Sequence, residues 1–133
     1  MRIVSGIQPT GNLHLGNFLG AIKQWVNLQS DGECYFFLAD LHAITMRSNP
    51  KDLRNNCQEM AASLIACGVD HTKSVLFNQA RVPYHAELSW ILQCTARVGW
   101  LNRMVQFKEK GANSEGESVG LYSYPVLQAA DIL

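Results

Sequence analysis

Three short stretches of the chain are apolar in a manner that suits strands, and the segments between them carry their apolar residues at helical spacing. The strand-like runs are Ile3-Val4-Ser5-Gly6, Cys34-Tyr35-Phe36-Phe37-Leu38-Ala39 and Ser74-Val75-Leu76-Phe77. The second is apolar at six successive positions, the pattern of a strand covered on both faces of a parallel sheet. Between the first two runs, residues 16–29 place Leu19, Ile22, Val26 and Leu28 for one helix face. The next helix is better marked. Asn49 can cap it, Pro50 suits its first turn and Asp52 complements the positive end of its dipole. Its apolar stripe runs Leu53, Cys57, Met60, Ala61, Leu64, Ile65, and Gly68 is a natural stop. Strand, helix, strand, helix, strand predicts right-handed βαβ units and an α/β fold on a parallel sheet.

Beyond Asn78 the pattern is helical. Residues 83–95 carry Leu88, Ile91, Leu92 and Thr95 on one face, and residues 98–107 continue as a second helical segment past Gly99. Residues 108–120 (KEKGANSEGESVG) are polar, hold three glycines and lack apolar periodicity, so they are expected to form a mobile loop. Residues 121–133 turn apolar again and end without a closing glycine or a polar tail. Three strands make a small doubly wound sheet, so the chain is expected to be the front part of a larger fold, residues 1–133 forming one unit.

Composition narrows the classes. The 133 residues are 47% hydrophobic and 17% charged, which excludes a disordered chain. Eleven basic side chains balance eleven acidic ones, leaving no electrostatic footprint for nucleic acid on this part of the protein. No apolar run approaches the roughly 20 residues that cross a bilayer, and the first residues lack the apolar core of a secretory signal. The four cysteines (Cys34, Cys57, Cys67, Cys94) contain no C-x-x-C pair, and no histidine falls at zinc-ligand spacing from them. They read as buried free thiols in a reducing compartment, with no metal site.

The first strand-to-helix turn, Gly6-Ile7-Gln8-Pro9-Thr10-Gly11-Asn12-Leu13-His14-Leu15-Gly16-Asn17, is the most informative stretch. It lies at the C-terminal edge of the sheet, where α/β folds place ligands. Glycines there allow backbone N–H groups to approach a phosphate, and a helix N-terminus favours negative charge. The stretch is neither a G-x-G-x-x-G fingerprint nor a Walker A loop. The nearest Walker mimic, residues 111–118 (GANSEGES), has Glu117 where a lysine is required. An ordinary polar turn is the plain alternative. Against it stand His14 and Asn17 at the helix start, two donors for the charge that develops on a transferring phosphate.

This turn resembles the HIGH region of class I aminoacyl-tRNA synthetases and, more narrowly, that of the tryptophanyl enzymes of bacterial and organellar type. Leu38-Ala39-Asp40-Leu41-His42-Ala43-Ile44-Thr45 resembles the family's D-x-H-A-I-T segment, and Phe107-Lys108-Glu109-Lys110 its Q-F-K-E-K run. Residues 124–133 (YPVLQAADIL) resemble its specificity helix. The resemblance implies a Rossmann-like catalytic domain, of which residues 1–133 would be the N-terminal part, with the helical segment 83–107 and the loop 108–120 included. It implies ATP contacts by Gln8, Pro9, Thr10, Gly16 and Asn17, and catalytic roles near the phosphates for His14, Asn17 and Lys110. It implies a tryptophan pocket of Val4, Gly6, His42, Tyr124, Gln128 and Asp131, the last accepting a hydrogen bond from the indole N–H. The implied reaction is ATP- and Mg²⁺-dependent activation of L-tryptophan, followed by transfer to tRNA(Trp). A homodimer in the cytoplasm, or in the mitochondrial matrix for an organellar member, is implied too, with residues 83–107 as the contact surface. Two segments of the family pattern, G-x-D-Q and a KMSKS-like loop, are not in the chain, so these residues alone are expected to be a poor catalyst.

Each role has a plainer counterpart. Asp131 could face water, although a carboxylate among apolar helix neighbours needs a donor. His42 could be a satisfied buried histidine, and Lys108 and Lys110 could be solvated loop charges. Trp25, Trp90, Trp100, Met46, Met60 and Met104 read as core and surface packing. Two further activities stay open: tyrosine activation, since Y-P-x-x-Q-x-x-D also occurs in tyrosyl enzymes of archaeal and eukaryotic type, and adenylyl transfer to a small cofactor. A non-catalytic fragment that binds ATP or a partner is the reading from a different class.

Overall fold

The three strand-like runs pair in the order β1-β2-β3 as a fully parallel sheet in a computed structural model that describes residues 1–11, 13–104 and 118–133. The strands are β1 (Arg2–Ile7), β2 (Glu33–Leu38) and β3 (Ser74–Asn78). The register sets Gly6 beside Phe37, and Phe37 beside Phe77. β2 is central, and Phe36, Phe37 and Leu38 are buried in succession, as its unbroken apolar run requires.

The first crossover is helical from Leu15, but not as one regular α-helix. α1 (Leu15–Asn17) passes into a π-helical stretch (Phe18–Ile22) and then α2 (Lys23–Leu28). The wider π turns reset the angular phase, so the face predicted by 3.6-residue counting from Leu19 is wrong in part. Ile22 and Trp25 are the buried pair, while Leu19 lies half in solvent. Trp25 stacks on Phe36 with ring centroids 4.6 Å apart and planes 4° from parallel.

β2 leads into a one-turn helix, α3 (Asp40–Ala43), and then to α4 (Pro50–Ala66). α4 follows its sequence signals. Asn49 Oδ1 accepts the Lys51 N–H at 2.9 Å, and Gly68 ends the segment at φ +107°, where a side chain would be strained. Cys57, Met60 and Leu64 join Ile22, Trp25, Phe36 and Val69 in the core between the crossover helices and the sheet. Ile65, one residue round the helix from Leu64, is half exposed.

After β3 come a 3-10 turn (Gln79–Arg81), α5 (Tyr84–Gln93), α6 (Val98–Leu101) and α7 (Val119–Ile132). α5 lies along α7. Its predicted face holds for Leu88 and Leu92, which are half buried, but Ile91 points outward and Ser89 is buried instead. The segment expected to be helical over 98–107 leaves the helix after Leu101. Residues 105–117, with Lys108 and Lys110, lie outside the described residues. The end of the expected loop is helical: Ser118 caps α7, its Oγ accepting the Leu121 N–H at 3.1 Å, and Val119 and Gly120 form the first turn. The Tyr122 hydroxyl lies 3.1 Å from Val98 O and 3.0 Å from Asn102 Oδ1, tying α7 to α6.

The expectation of four buried thiols holds for two. Cys34 and Cys57 are buried, Cys67 is intermediate and Cys94 on the end of α5 is exposed. Among the described residues no helix is long and apolar enough to cross a membrane.

Candidate functional site

The loop after β1, the end of β2, α3 and α7 converge at the C-terminal edge of the sheet, where parallel strands present their ligand sites. They enclose a cavity of 380 Å³. β1 supplies Val4 and Gly6, and the residue just past it supplies Gln8. β2 and its exit supply Phe37 and Ala39, and α3 supplies His42. α7 contributes Tyr124, Gln128 and Asp131, which share one face because they are spaced four and three residues apart. The six residues expected around an aromatic substrate, with Gln8, therefore lie in one cavity wall.

Local sequence explains each placement. Gly6 is glycine because the Phe37 ring occupies the space of a side chain; a Cβ at position 6 would stand 2.5 Å from that ring. The ring is held from its other side by Phe77, centroid to centroid 5.7 Å. His42 sits in a helix of one turn whose start is pinned by Asp40. That carboxylate accepts N–H bonds from Leu41 (3.0 Å) and Ala80 (2.9 Å) and one from the Asn78 amide (3.3 Å). The first turn of α3 is thus stitched to the end of β3. The Tyr124 ring meets the His42 ring edge-on at 6.1 Å.

Asp131 is the electrostatic centre of the wall. Its side chain is 3% exposed, which excludes the water-facing alternative. His42 Nε2 donates to Oδ2 at 2.7 Å, and Gln79 Nε2 donates to Oδ1 at 2.6 Å. His85 Nδ1 lies 2.9 Å from Oδ1, close enough for attraction but off the line of a hydrogen bond. These donors are what make a buried carboxylate tolerable. Gln79 and His85 were not singled out from the sequence. Gln79 follows β3 without any motif, and His85 reaches Asp131 only because α5 packs along α7. A signal did exist: an acidic residue inside an apolar helix demands donors, and polar residues just past a strand end are where to seek them.

The residues expected on the nucleotide side form a separate group that does not line this cavity, apart from Gln8. Thr10 is exposed, its N–H bonded to Gln8 O at 2.9 Å, whereas Pro9 is fully buried and presents no surface. His14 and Asn17 first serve the helix. The Asn17 N–H bonds to His14 Nδ1 at 3.2 Å and the His14 N–H to Asn17 Oδ1 at 3.3 Å, a reciprocal capping box. With Nδ1 accepting, the neutral ring carries its proton on Nε2, a donor on an exposed side chain. Gly16 leaves room for that ring, since a Cβ there would meet it at 3.0 Å. Lys110 lies outside the described residues.

The chain resembles known proteins over its whole length. The model of the class I tRNA synthetases for tryptophan and tyrosine (W and Y) matches residues 1–133. A tryptophan–tRNA ligase of Caulobacter vibrioides is 56% identical over 133 residues, covering 99% of this chain and 39% of the relative. That of Brucella melitensis is 52% identical over 132 residues, covering 98% and 37%. A crystal structure of tryptophanyl-tRNA synthetase from Campylobacter jejuni, complexed with ADP and tryptophan, superposes with a TM-score of 0.91 at 43% identity, covering all of this chain and 42% of that one. The chain thus spans about two-fifths of the length of these relatives. With an α/β sheet, a cavity at its C-terminal edge and this likeness from end to end, the chain belongs to the class I tRNA synthetases of the tryptophan and tyrosine family.

Proposed function

We propose that these residues are the amino-acid-binding and part of the ATP-binding half of a tryptophan–tRNA ligase. The observation that carries the reading is Asp131, a buried carboxylate set in the wall of a cavity of aromatic size. A carboxylate oxygen in the wall of such a cavity selects a ring bearing an N–H, and leaving that oxygen unpaired penalises rings that lack one. Val4 and Gly6 would form the slot floor, with Tyr124 and His42 at its side and Gln128 at its mouth.

In the activation step the tryptophan carboxylate attacks the α-phosphorus of ATP, forming tryptophanyl-adenylate and releasing pyrophosphate. The aminoacyl group then passes to the terminal ribose of tRNA(Trp). No side chain need act as nucleophile; orientation and donors aimed at developing phosphate charge supply the catalysis. Gln8, Thr10 and Gly16 would contact the nucleotide, Pro9 would fix the turn that carries them, and His14 Nε2–H with the Asn17 amide would face the phosphates. Lys110 would reach the pyrophosphate end. Among the described residues no three His, Cys, Asp or Glu side chains gather to hold a metal. A Mg²⁺ ion would arrive with ATP, coordinated largely by its phosphates and water.

Pairing as a homodimer is supported by the apolar side chains that α5 and α6 leave in solvent, among them Trp90, Ile91, Val98 and Trp100. The cytoplasm, or the mitochondrial matrix for an organellar protein, is the compartment the reaction would serve.

Amino-acid-dependent ATP–pyrophosphate exchange tests the reading, on these residues and on a C-terminally extended chain, with tryptophan, tyrosine and phenylalanine as substrates. Exchange with tryptophan alone, abolished by Asp131→Ala, supports it. Tyrosine is the second reading, because Gln128 lines the same cavity and could meet a ring hydroxyl; exchange with tyrosine would select it. Silence of the extended chain with all three would overturn the activity and leave the residues as a binding element without turnover.

A further inference from the structure

Gln79 is the most deeply buried polar side chain among the described residues, with no exposure at all, yet it belongs neither to the cavity lining nor to the apolar core cluster. Its amide has a single orientation that satisfies both neighbours. The Leu41 N–H can only donate, so Oε1 faces it at 3.2 Å; the Asp131 carboxylate can only accept, so Nε2 faces Oδ1 at 2.6 Å. Gln79 therefore links the first turn of α3 rigidly to the carboxylate in α7.

An ionised carboxylate offers about four lone-pair directions, two on each oxygen. On Oδ1, Gln79 takes one and His85 Nδ1 crowds the other at 2.9 Å. Neither residue lines the cavity. On Oδ2, His42, which does line the cavity, takes one at 2.7 Å. Two directions are left: one on Oδ1, which His85 Nδ1 crowds without bonding, and one on Oδ2, beside the cavity-lining His42. Aspartate χ2 is a soft torsion, so without a strong donor on Oδ1 the carboxylate could turn and offer either oxygen.

We propose that Gln79 is a positioning residue: by holding Asp131 Oδ1 away from the cavity, it leaves the free lone pair of Oδ2 as the acceptor for the ring N–H of an indole substrate. The inference rests on the tryptophan reading above and adds which atom receives the substrate and what aims it.

The test compares tryptophan with its benzothiophene analogue, in which sulfur replaces the indole N–H, by titration calorimetry on the intact protein. The unsubstituted protein is expected to prefer tryptophan by about ten-fold or more. Gln79→Met keeps the length of the side chain and removes the donor. The Leu41 N–H keeps Asp40 Oδ1 at 3.0 Å, whereas Asp131 Oδ1 loses its hydrogen-bond donor. In this variant the preference should collapse toward unity and the melting temperature should fall, while ATP affinity changes little. Gln79→Leu, which also lacks the donor, should lose the preference in the same way and carries the test if the methionine variant fails to fold. A preference kept in either folded variant overturns the positioning role. Absence of any preference in the unsubstituted protein overturns the reading of Asp131 itself, and this inference with it.

Discussion

His42 and Asp131 stand 89 residues apart in the chain and meet with 2.7 Å between Nε2 and Oδ2. Neither side chain reaches solvent appreciably. The contact joins α3, which is anchored through Asp40 to the end of β3, to α7, which lies against α5. One hydrogen bond thus orients a cavity carboxylate and clamps a helix at the same time.

Replacing His42 by Leu removes the donor and leaves a buried carboxylate oxygen short of a partner. Stability should fall by about 1–3 kcal/mol in denaturant unfolding, and the KM for tryptophan should rise about ten-fold or more in pyrophosphate exchange. His42→Gln, which keeps an N–H near the place of Nε2, should recover much of both. Equal defects in the two variants would show that ring packing against Tyr124, not the hydrogen bond, is what matters.

Gly6→Ala tests the other wall. The added methyl must displace the Phe37 ring, which is itself confined by Phe77 and His85. Overpacking of this kind destabilises by about 1–3 kcal/mol, measurable by urea unfolding, and tryptophan affinity should fall along with stability. Pairing Gly6→Ala with Phe37→Leu, which makes room, should restore part of the stability.

The four thiols should differ sharply toward iodoacetamide. Cys94 is exposed and should react first. Burial, reinforced by the nearby Asp31 carboxylate, pushes the Cys34 thiol up, and its Sγ donates to Leu28 O at 3.4 Å. Burial and then Asp40 raise the Cys57 thiol, only partly opposed by a hydrogen bond with Asn78. Since the thiolate is the reactive form, mass mapping at slightly alkaline pH should find Cys34 and Cys57 unmodified until the protein is unfolded. Early labelling of either would mean that the core opens locally.

Asp70 gives a pH dependence of definite sign. The Thr72 hydroxyl (2.6 Å) and Thr72 N–H (2.9 Å) bond to Oδ1 and hold the carboxyl below its ordinary value of 3.8. The ionised form is therefore favoured in the fold. Its contribution is present above the ordinary carboxylate range and disappears as pH falls through the lowered native value. Thr72→Val should raise the Asp70 titration midpoint followed by NMR, and the stability gap between the two proteins at neutral pH should close in strong acid. A gap that persists there would assign the effect to packing.

What was legible in the sequence follows physical range. Parallel strands, the capped α4 and the left-handed Gly68 depend on neighbours within a few positions, and the sequence carries those signals. The π-helical stretch was not legible, because its wider turn depends on packing Ile22 and Trp25 against the sheet. The H-x-x-N capping box was visible as a spacing and was read only as a phosphate site. The tryptophan-pocket residues were assigned through family resemblance, and all of them line one cavity. Gln79 and His85 stayed hidden because nothing local marks a residue whose partner lies 52 or 46 positions away on another helix.

The cavity takes Val4 from near the start of the chain and Ile132 from near its end. It is therefore a non-local object, which exists only while α7 is docked, and docking of that kind closes long loops and comes at an entropic cost. A molecule filling the cavity touches both ends and binds the docked arrangement alone. By mass action it adds about 2.7 kcal/mol to docking when its concentration is a hundred times its Kd. Deuterium exchange should then slow along α7 when tryptophan is present, while α4, sealed in its own core, keeps its rates. On the proposed reading, tryptophan would be a cross-brace between β1 and α7.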